Sequence, residues 1–157
     1  MIITKWDYHI YDILDTLQEF GMETDLQAYT DGDAQRDKAL QDLWSVFSHP
    51  ECAIIAVYDV CDEDTIAGFA VLFLDRLFLQ GTRGFGIVNK FYIRKQYRGK
   101  HYGRQLANEC VDWFTANNVS ESFVTSTGEI GETKQFENLF RKFGYTTIGS
   151  CMRRKHE

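Results

Sequence analysis

The feature that most constrains this chain is a β-strand that runs through a basic, glycine-containing turn straight into an amphipathic helix. Phe85, Ile87, Asn89, Phe91 and Ile93 alternate with Gly86, Val88, Lys90 and Tyr92, the period of a strand. Arg94 to Lys100 is rich in cations and carries Gly99. Tyr102, Leu106, Cys110, Trp113 and Phe114 then fall on one face of a helix. A strand feeding a helix in this way points several backbone N–H groups at one place, where the helix dipole adds partial positive charge. Arg98, Lys100 and Arg104 add whole charges there. The arrangement suits a phosphate or pyrophosphate.

The flanking sequence supplies the rest of a mixed α/β domain. Residues 1–6 read as a short strand. Asp7 is placed to cap a helix with Ile10, Ile13, Leu14 and Leu17 on one face, ended by Gly21. A polar loop over 22–32 leads to a second helix, capped by Asp33, with Ala39, Leu40, Leu43, Trp44 and Phe47 on one face and Pro50 at its end. Cys52–Val60 and Ile66–Leu74 read as a β-hairpin around the acidic loop Asp62-Glu63-Asp64. Gln80–Gly84 is a second turn, before the strand described above. After the third helix, stopped by Asn117-Asn118, come a short strand over Ser122–Ser126 and a loop over Thr127–Glu132. A fourth helix with Phe136, Leu139, Phe140 and Phe143 follows, closed by Gly144, and then a last strand over Tyr145–Met152. Hairpins first and a β-α-β crossover after them imply a mixed sheet with helices on both faces.

The 157 residues are expected to form a single domain over 1–157, and 44% apolar content is enough for a real core. The net charge of −6 argues against general nucleic-acid binding, which needs a broad basic face. It also sets the basic turn apart from its surroundings. Cys52, Cys61, Cys110 and Cys151 form no C-x-x-C pair, so no zinc or other metal site is expected. We read them as reduced thiols of a cytoplasmic protein. The N-terminal residues carry no signal-peptide pattern, and no apolar run approaches membrane-spanning length.

The element order, with Arg98-Gly99-Lys100-His101-Tyr102-Gly103 at the fourth strand–third helix junction, resembles the GNAT superfamily of N-acetyltransferases. That family carries Arg/Gln-x-x-Gly-x-Gly/Ala at this junction. The first and last positions match here, as does the following Leu106, while His101 replaces the central glycine. Lys95-Gln96-Tyr97 is similar to the family's lead-in. Leu139-Phe140-Arg141-Lys142-Phe143-Gly144-Tyr145 resembles a second family motif, aromatic-Tyr-x-Lys-apolar-Gly-Phe. The resemblance implies a three-layer fold around a mostly antiparallel sheet of six or seven strands. It implies acetyl-coenzyme A as co-substrate, with its pyrophosphate on Arg98, Gly99, Lys100, His101, Tyr102, Gly103 and Arg104. It also implies that the pantetheine arm runs along the backbone of Phe91, Tyr92 and Ile93, where a bulge commonly splays the fourth strand from the fifth. The partner would be an amine acceptor, on a small molecule or a protein. A homodimer or larger assembly is left open.

Direct attack of an amine on a thioester is helped by a base for the ammonium proton and an acid for the leaving thiolate. The family's usual acid is the tyrosine of the second motif, and this chain has Phe140 there, which donates no proton. The usual base is a carboxylate on the fourth strand, and the matching positions are Asn89 and Lys90. Catalytic residues are therefore unassigned. Tyr92, Tyr102 and Tyr145 are substitute acids to weigh. Glu129, Glu132 and Glu137 are carboxylates that water could connect to the amine. Asn138 is a further cofactor contact to weigh. If His101 needs positive φ, it carries a modest strain. The competing reading is a binding or assembly protein that keeps the fold, and acyl-CoA with it, without turnover. Small GNAT-like proteins of tailed phages, some virion-associated, look similar.

Overall fold

The computed structural model describes residues 2–4, 10–23, 32–62, 65–75, 84–125 and 130–149. The elements run β1 (Ile2–Thr4), α1 (Ile10–Glu23), α2 (Gly32–Ser48), β2 (Cys52–Tyr58), β3 (Ile66–Asp75), β4 (Phe85–Ile93), a 3-10 turn (Lys95–Tyr97), α3 (Tyr102–Ala116), β5 (Glu121–Val124) and α4 (Ile130–Arg141). The sheet order is β1-β2-β3-β4-β5. The first three pairings are antiparallel, and β4 pairs with β5 in parallel across α3.

Strand alternation divides the core into two layers. Ile54, Ala56 and Tyr58 of β2, with Phe69 and Val71 of β3, meet Ile10, Ile13, Leu14, Leu17 and Phe20 of α1 and Ala39 and Leu43 of α2. Ala53, Ile55 and Val57, with Ala70, Leu72 and Leu74, meet Leu106, Cys110 and Phe114 of α3. Apolar residues on both faces of β2 and β3 explain their unbroken hydrophobic runs.

β4 breaks the simple alternation. Val71 of β3 pairs with Lys90 but Leu72 pairs with Val88, so Asn89 is an extra residue, a bulge. Val88 therefore faces α3, whereas Tyr92 faces α1 and α2. Phe91 and Ile93 pack on the α3 side instead. The parallel ladder to β5 ends at Val88 paired with Val124, one residue before the bulge. Past that point no pairing between β4 and β5 is formed among the described residues.

Several expected boundaries move. Gly21 is buried inside α1, which runs on to Glu23. α4 begins at Ile130, inside the expected loop. Trp44 is exposed rather than packed on the core. The expected strand over Tyr145–Met152 is not formed over 145–149: among the described residues no backbone pairs with this stretch, and Ile148 is exposed, while 150–152 lie outside the described residues. Five strands are therefore found among the described residues, against six or seven expected. The expected cap Asp7 and the turn residues 80–83 lie outside the described residues.

Candidate functional site

The junction between β4 and α3 presents a row of unused backbone donors. Arg98 N–H bonds to Lys95 C=O at 3.3 Å, and the next N–H with a backbone acceptor is that of Gln105, on His101 C=O at 3.0 Å. Between them, the N–H groups of Gly99, Lys100, His101, Tyr102, Gly103 and Arg104 find no backbone acceptor among the described residues. A helix start leaves such donors by construction, and the tight turn before it extends the row.

Glycine is required at one point of this turn. Gly99 has φ +76°, in the left-handed region, with open space around it. His101 sits at φ −70° and ψ −16°, ordinary helical backbone, so it carries no strain at this position. Its ring is exposed and lies 4.1 Å from the Tyr102 ring. At Gly103 a Cβ would stand 3.7 Å from Leu139 of α4 and 3.8 Å from Ile93 of β4. Those are ordinary contact distances, so a Cβ would fit there and glycine is not required by space at this position.

The cations divide into two groups. Lys100 and Arg104 are exposed, with Lys100 Nζ 5.1 Å above the Tyr97 ring. Arg98 is turned back into the protein: its Nε donates to Ile93 C=O at 3.0 Å and its terminal nitrogen to the Glu23 carboxylate. The Arg98 side chain is thus already bonded within the chain. Sequence reasoning missed Glu23, together with Glu19, which takes two hydrogen bonds from Arg94 at 2.9 and 2.5 Å. The partners are 75 residues apart, so no local pattern marks them.

Beyond Val88, β4 meets α4 through a cluster of rings. Phe91 lies 5.7 Å from Phe136 and 5.2 Å from Phe140, and Phe140 lies 5.2 Å from Tyr145. Phe140 is only 2% exposed. At the bulge, Asn89 is exposed and accepts from Lys90 Nζ at 3.2 Å. Glu137 pairs with Arg141 at 3.4 Å, and Asn138 is exposed on α4. Glu129 and the Glu132 side chain lie outside the described residues.

None of the three candidate phenols is without a partner. Tyr92 donates to Glu23 at 2.8 Å, Tyr102 donates to Asp59 at 3.0 Å, and Tyr145 shares a proton with Ser122 at 2.6 Å. Burial first, then the bond to Glu23, pushes the Tyr92 phenol well above its ordinary range. The Val60 N–H acts to lower Tyr102, but burial and the Asp59 carboxylate outweigh it. Burial raises Tyr145 against the opposing bond from Ser122. Burial and Asp59 also raise Tyr97. An unfolded tyrosine ionises near pH 10. Each raised phenol therefore contributes stability in full below pH 10, and that contribution is lost as pH climbs toward the folded value. Spectrophotometric titration is expected to find these four of the 8 tyrosines resisting ionisation above pH 10, with the urea midpoint falling there. Uniform titration near pH 10 would refute the burial described.

Among the described residues no group of three or more His, Cys, Asp or Glu is placed to hold a metal, and no helix is long and apolar enough to cross a membrane.

Comparison with known proteins places this geometry in context. The family model described as the acetyltransferase (GNAT) family matches residues 11–145. No curated protein matches the chain by sequence. Among solved structures, an aminoglycoside acetyltransferase from an uncultured soil metagenomic sample, in complex with sisomicin, is similar with a TM-score of 0.73 at 10% identity. The alignment covers 100% of this chain and 95% of that one. A probable acetyltransferase is similar with a TM-score of 0.77 at 13% identity, covering 100% and 97%. AAC(6')-Iy, in complex with the bisubstrate analogue CoA-S-monomethyl-acetylneamine, is similar with a TM-score of 0.75 at 12% identity, covering 100% and 97%.

Proposed function

The chain belongs to the acetyltransferase (GNAT) family, and from that premise we propose that it is an acyl-CoA-dependent N-acyltransferase moving an acetyl group from acetyl-CoA to a primary amine. The observation that carries this reading is the row of six backbone N–H groups from Gly99 to Arg104, which find no backbone acceptor among the described residues. These donors, with Lys100 and Arg104, suit a pyrophosphate. Gly103 lies between Ile93 of β4 and Leu139 of α4, at the start of the helix that carries these donors. The backbone of Phe91, Tyr92 and Ile93 then runs along the slot for the pantetheine arm.

Acetyl-CoA supplies a thioester whose carbonyl a neutral amine can attack, with the thiolate leaving. The chain's own contribution is to hold and align the two reactants, which by itself removes much of a barrier. The bulge at Asn89 lies one residue past the end of the β4–β5 ladder, where in this reading the two would meet. At the bulge the side chains are those of Asn89 and Lys90, neither of them a carboxylate, so in this reading the amine proton passes to water. Phe140 offers no proton to the thiolate, and the phenol of Tyr145 is bonded to Ser122. A cytoplasmic setting belongs to the same proposal, with Cys52, Cys61 and Cys110 as free thiols.

Those last features favour a second reading, a protein that binds acyl-CoA without turning it over. Calorimetric titration with acetyl-CoA, followed by a thiol-release assay over an amine panel that includes sisomicin, separates the two. Binding with thiol release is the expected result. Binding without release on any amine would establish the second reading. No heat at high micromolar acetyl-CoA would overturn both.

A further inference from the structure

Glu19 and Glu23 stand one turn apart near the end of α1, on the same side of the helix. Both reach the segment that leads out of β4. Glu19 grips Arg94, which also donates to Ile66 C=O at 3.3 Å. Glu23 takes the Tyr92 hydroxyl at 2.8 Å and the Arg98 guanidinium, which in turn lies 5.6 Å from the Tyr92 ring. Arg98 adds the bond from Nε to Ile93 C=O. One carboxylate on α1 is thereby joined to the last residues of β4 and to the residue just before Gly99.

The position of Arg98 gives this contact its leverage. Arg98 is extended, at φ −66° and ψ 151°, and Gly99 follows at φ +76°. The direction of the next six N–H groups is set at that corner. Gly99, Lys100 and His101 at the corner are exposed, between the buried Tyr97 and Tyr102. Releasing Arg98 would remove the link to Glu23 that holds the corner against α1. The neighbouring Glu19–Arg94 pair and the apolar face of α1 would keep the helix docked without Glu23.

We propose that Glu23 is a positioning residue for the anion-binding loop: its carboxylate fixes Arg98, fixes with it the corner from which the amides of Gly99 to Arg104 are aimed, and so couples α1 to cofactor binding. The proposal rests on the pyrophosphate reading of the loop. It also assigns Arg98 a role in holding the loop rather than in touching phosphate, because its guanidinium is occupied at both ends.

Glu23→Gln keeps the size of the side chain and removes its charge. Asp15→Asn, which breaks the exposed pair with Arg36, serves as the control. Two quantities are measured: the dissociation constant for coenzyme A, and the NMR order parameters of the Gly99–Arg104 amides in the ligand-free protein. Glu23→Gln is expected to weaken coenzyme A binding about tenfold, to lower the loop order parameters and to leave the melting temperature near that of the control. Adding Arg98→Gln to Glu23→Gln also removes the bond from Nε to Ile93 C=O, so the double variant should bind coenzyme A no more tightly than Glu23→Gln alone; tighter binding by the double variant overturns the proposal. Unchanged affinity with unchanged order parameters overturns the proposal. Tighter binding overturns it too, because Arg98 would then have been withheld from the phosphate. If the unaltered protein binds no coenzyme A, the pyrophosphate reading fails by itself, and the order parameters still decide whether Glu23 orders the loop.

Discussion

Reversing the charge of Lys100 and Arg104 together, as Lys100→Glu/Arg104→Glu, is expected to cut acetyl-CoA affinity on the order of 100-fold while leaving the fold intact. The double change alters four unit charges beside the amide row. A unit pair at about 6–8 Å in a watery dielectric is worth about 0.5–0.7 kcal/mol. Against two phosphate charges, and after screening, the sum is roughly 3 kcal/mol. Both side chains are exposed, so the folding cost is small. Losing Lys100 from the Tyr97 ring costs about 0.5 kcal/mol. New carboxylates at a helix N-terminus return about the same amount through the dipole. Stability and affinity should therefore separate, with the melting temperature nearly constant and the calorimetric affinity lost. The affinity of the unaltered protein should also fall with added salt, and that of the variant should respond less. A variant that binds acetyl-CoA as tightly as the parent would remove the loop from the site.

The same loop shows what a sequence conveys and what it does not. The bounds of β4 were legible at both ends, Phe85 and Ile93, because alternation and flanking turn residues agree there. The faces of β4 were not. A bulge adds one residue and reverses inside and outside, and the polar pair Asn89-Lys90 reads equally well in either register. Tyr92 consequently lies against α1 and spends its hydroxyl on Glu23, while Val88 faces α3. Gly99 and Gly103 were legible as loop glycines, yet only Gly99 needs its φ, and His101 sits in plain helical geometry. The sequence shows the charge of Arg98 but not its partner Glu23, which is 75 residues away. Long-range ion pairs leave no periodic trace, so charge near a glycine turn does not reveal whether the charge is available. The last strand misled for a related reason. Thr146, Thr147 and Ile148 have strand propensity, but a strand exists only where another backbone meets it.

Phe140 carries the second large expectation, and it concerns stability before chemistry. Its side chain is 2% exposed and packed by the rings of Phe91, Phe136 and Tyr145, at 5.2, 4.8 and 5.2 Å. Together with Phe136 it joins α4 to Phe91 of β4. Phe140→Ala removes a buried ring and leaves a cavity that three other aromatic residues cannot fill, so the expected loss is about 3–5 kcal/mol. That is a large share of the roughly 5–15 kcal/mol available to a domain of this kind. Urea unfolding monitored by circular dichroism measures it, with Phe140→Leu as a milder comparison. The functional consequence follows from the same packing. Leu139, the adjacent residue, lies beside Gly103, so loosening α4 moves a neighbour of the proposed binding loop. Acetyl-CoA affinity should fall together with stability in Phe140→Ala, unlike the charge reversal, where the two separate. A loss below about 1 kcal/mol would mean that the ring cluster does not hold α4. The aromatic residue at this position would then have to be explained by the reaction rather than by the fold.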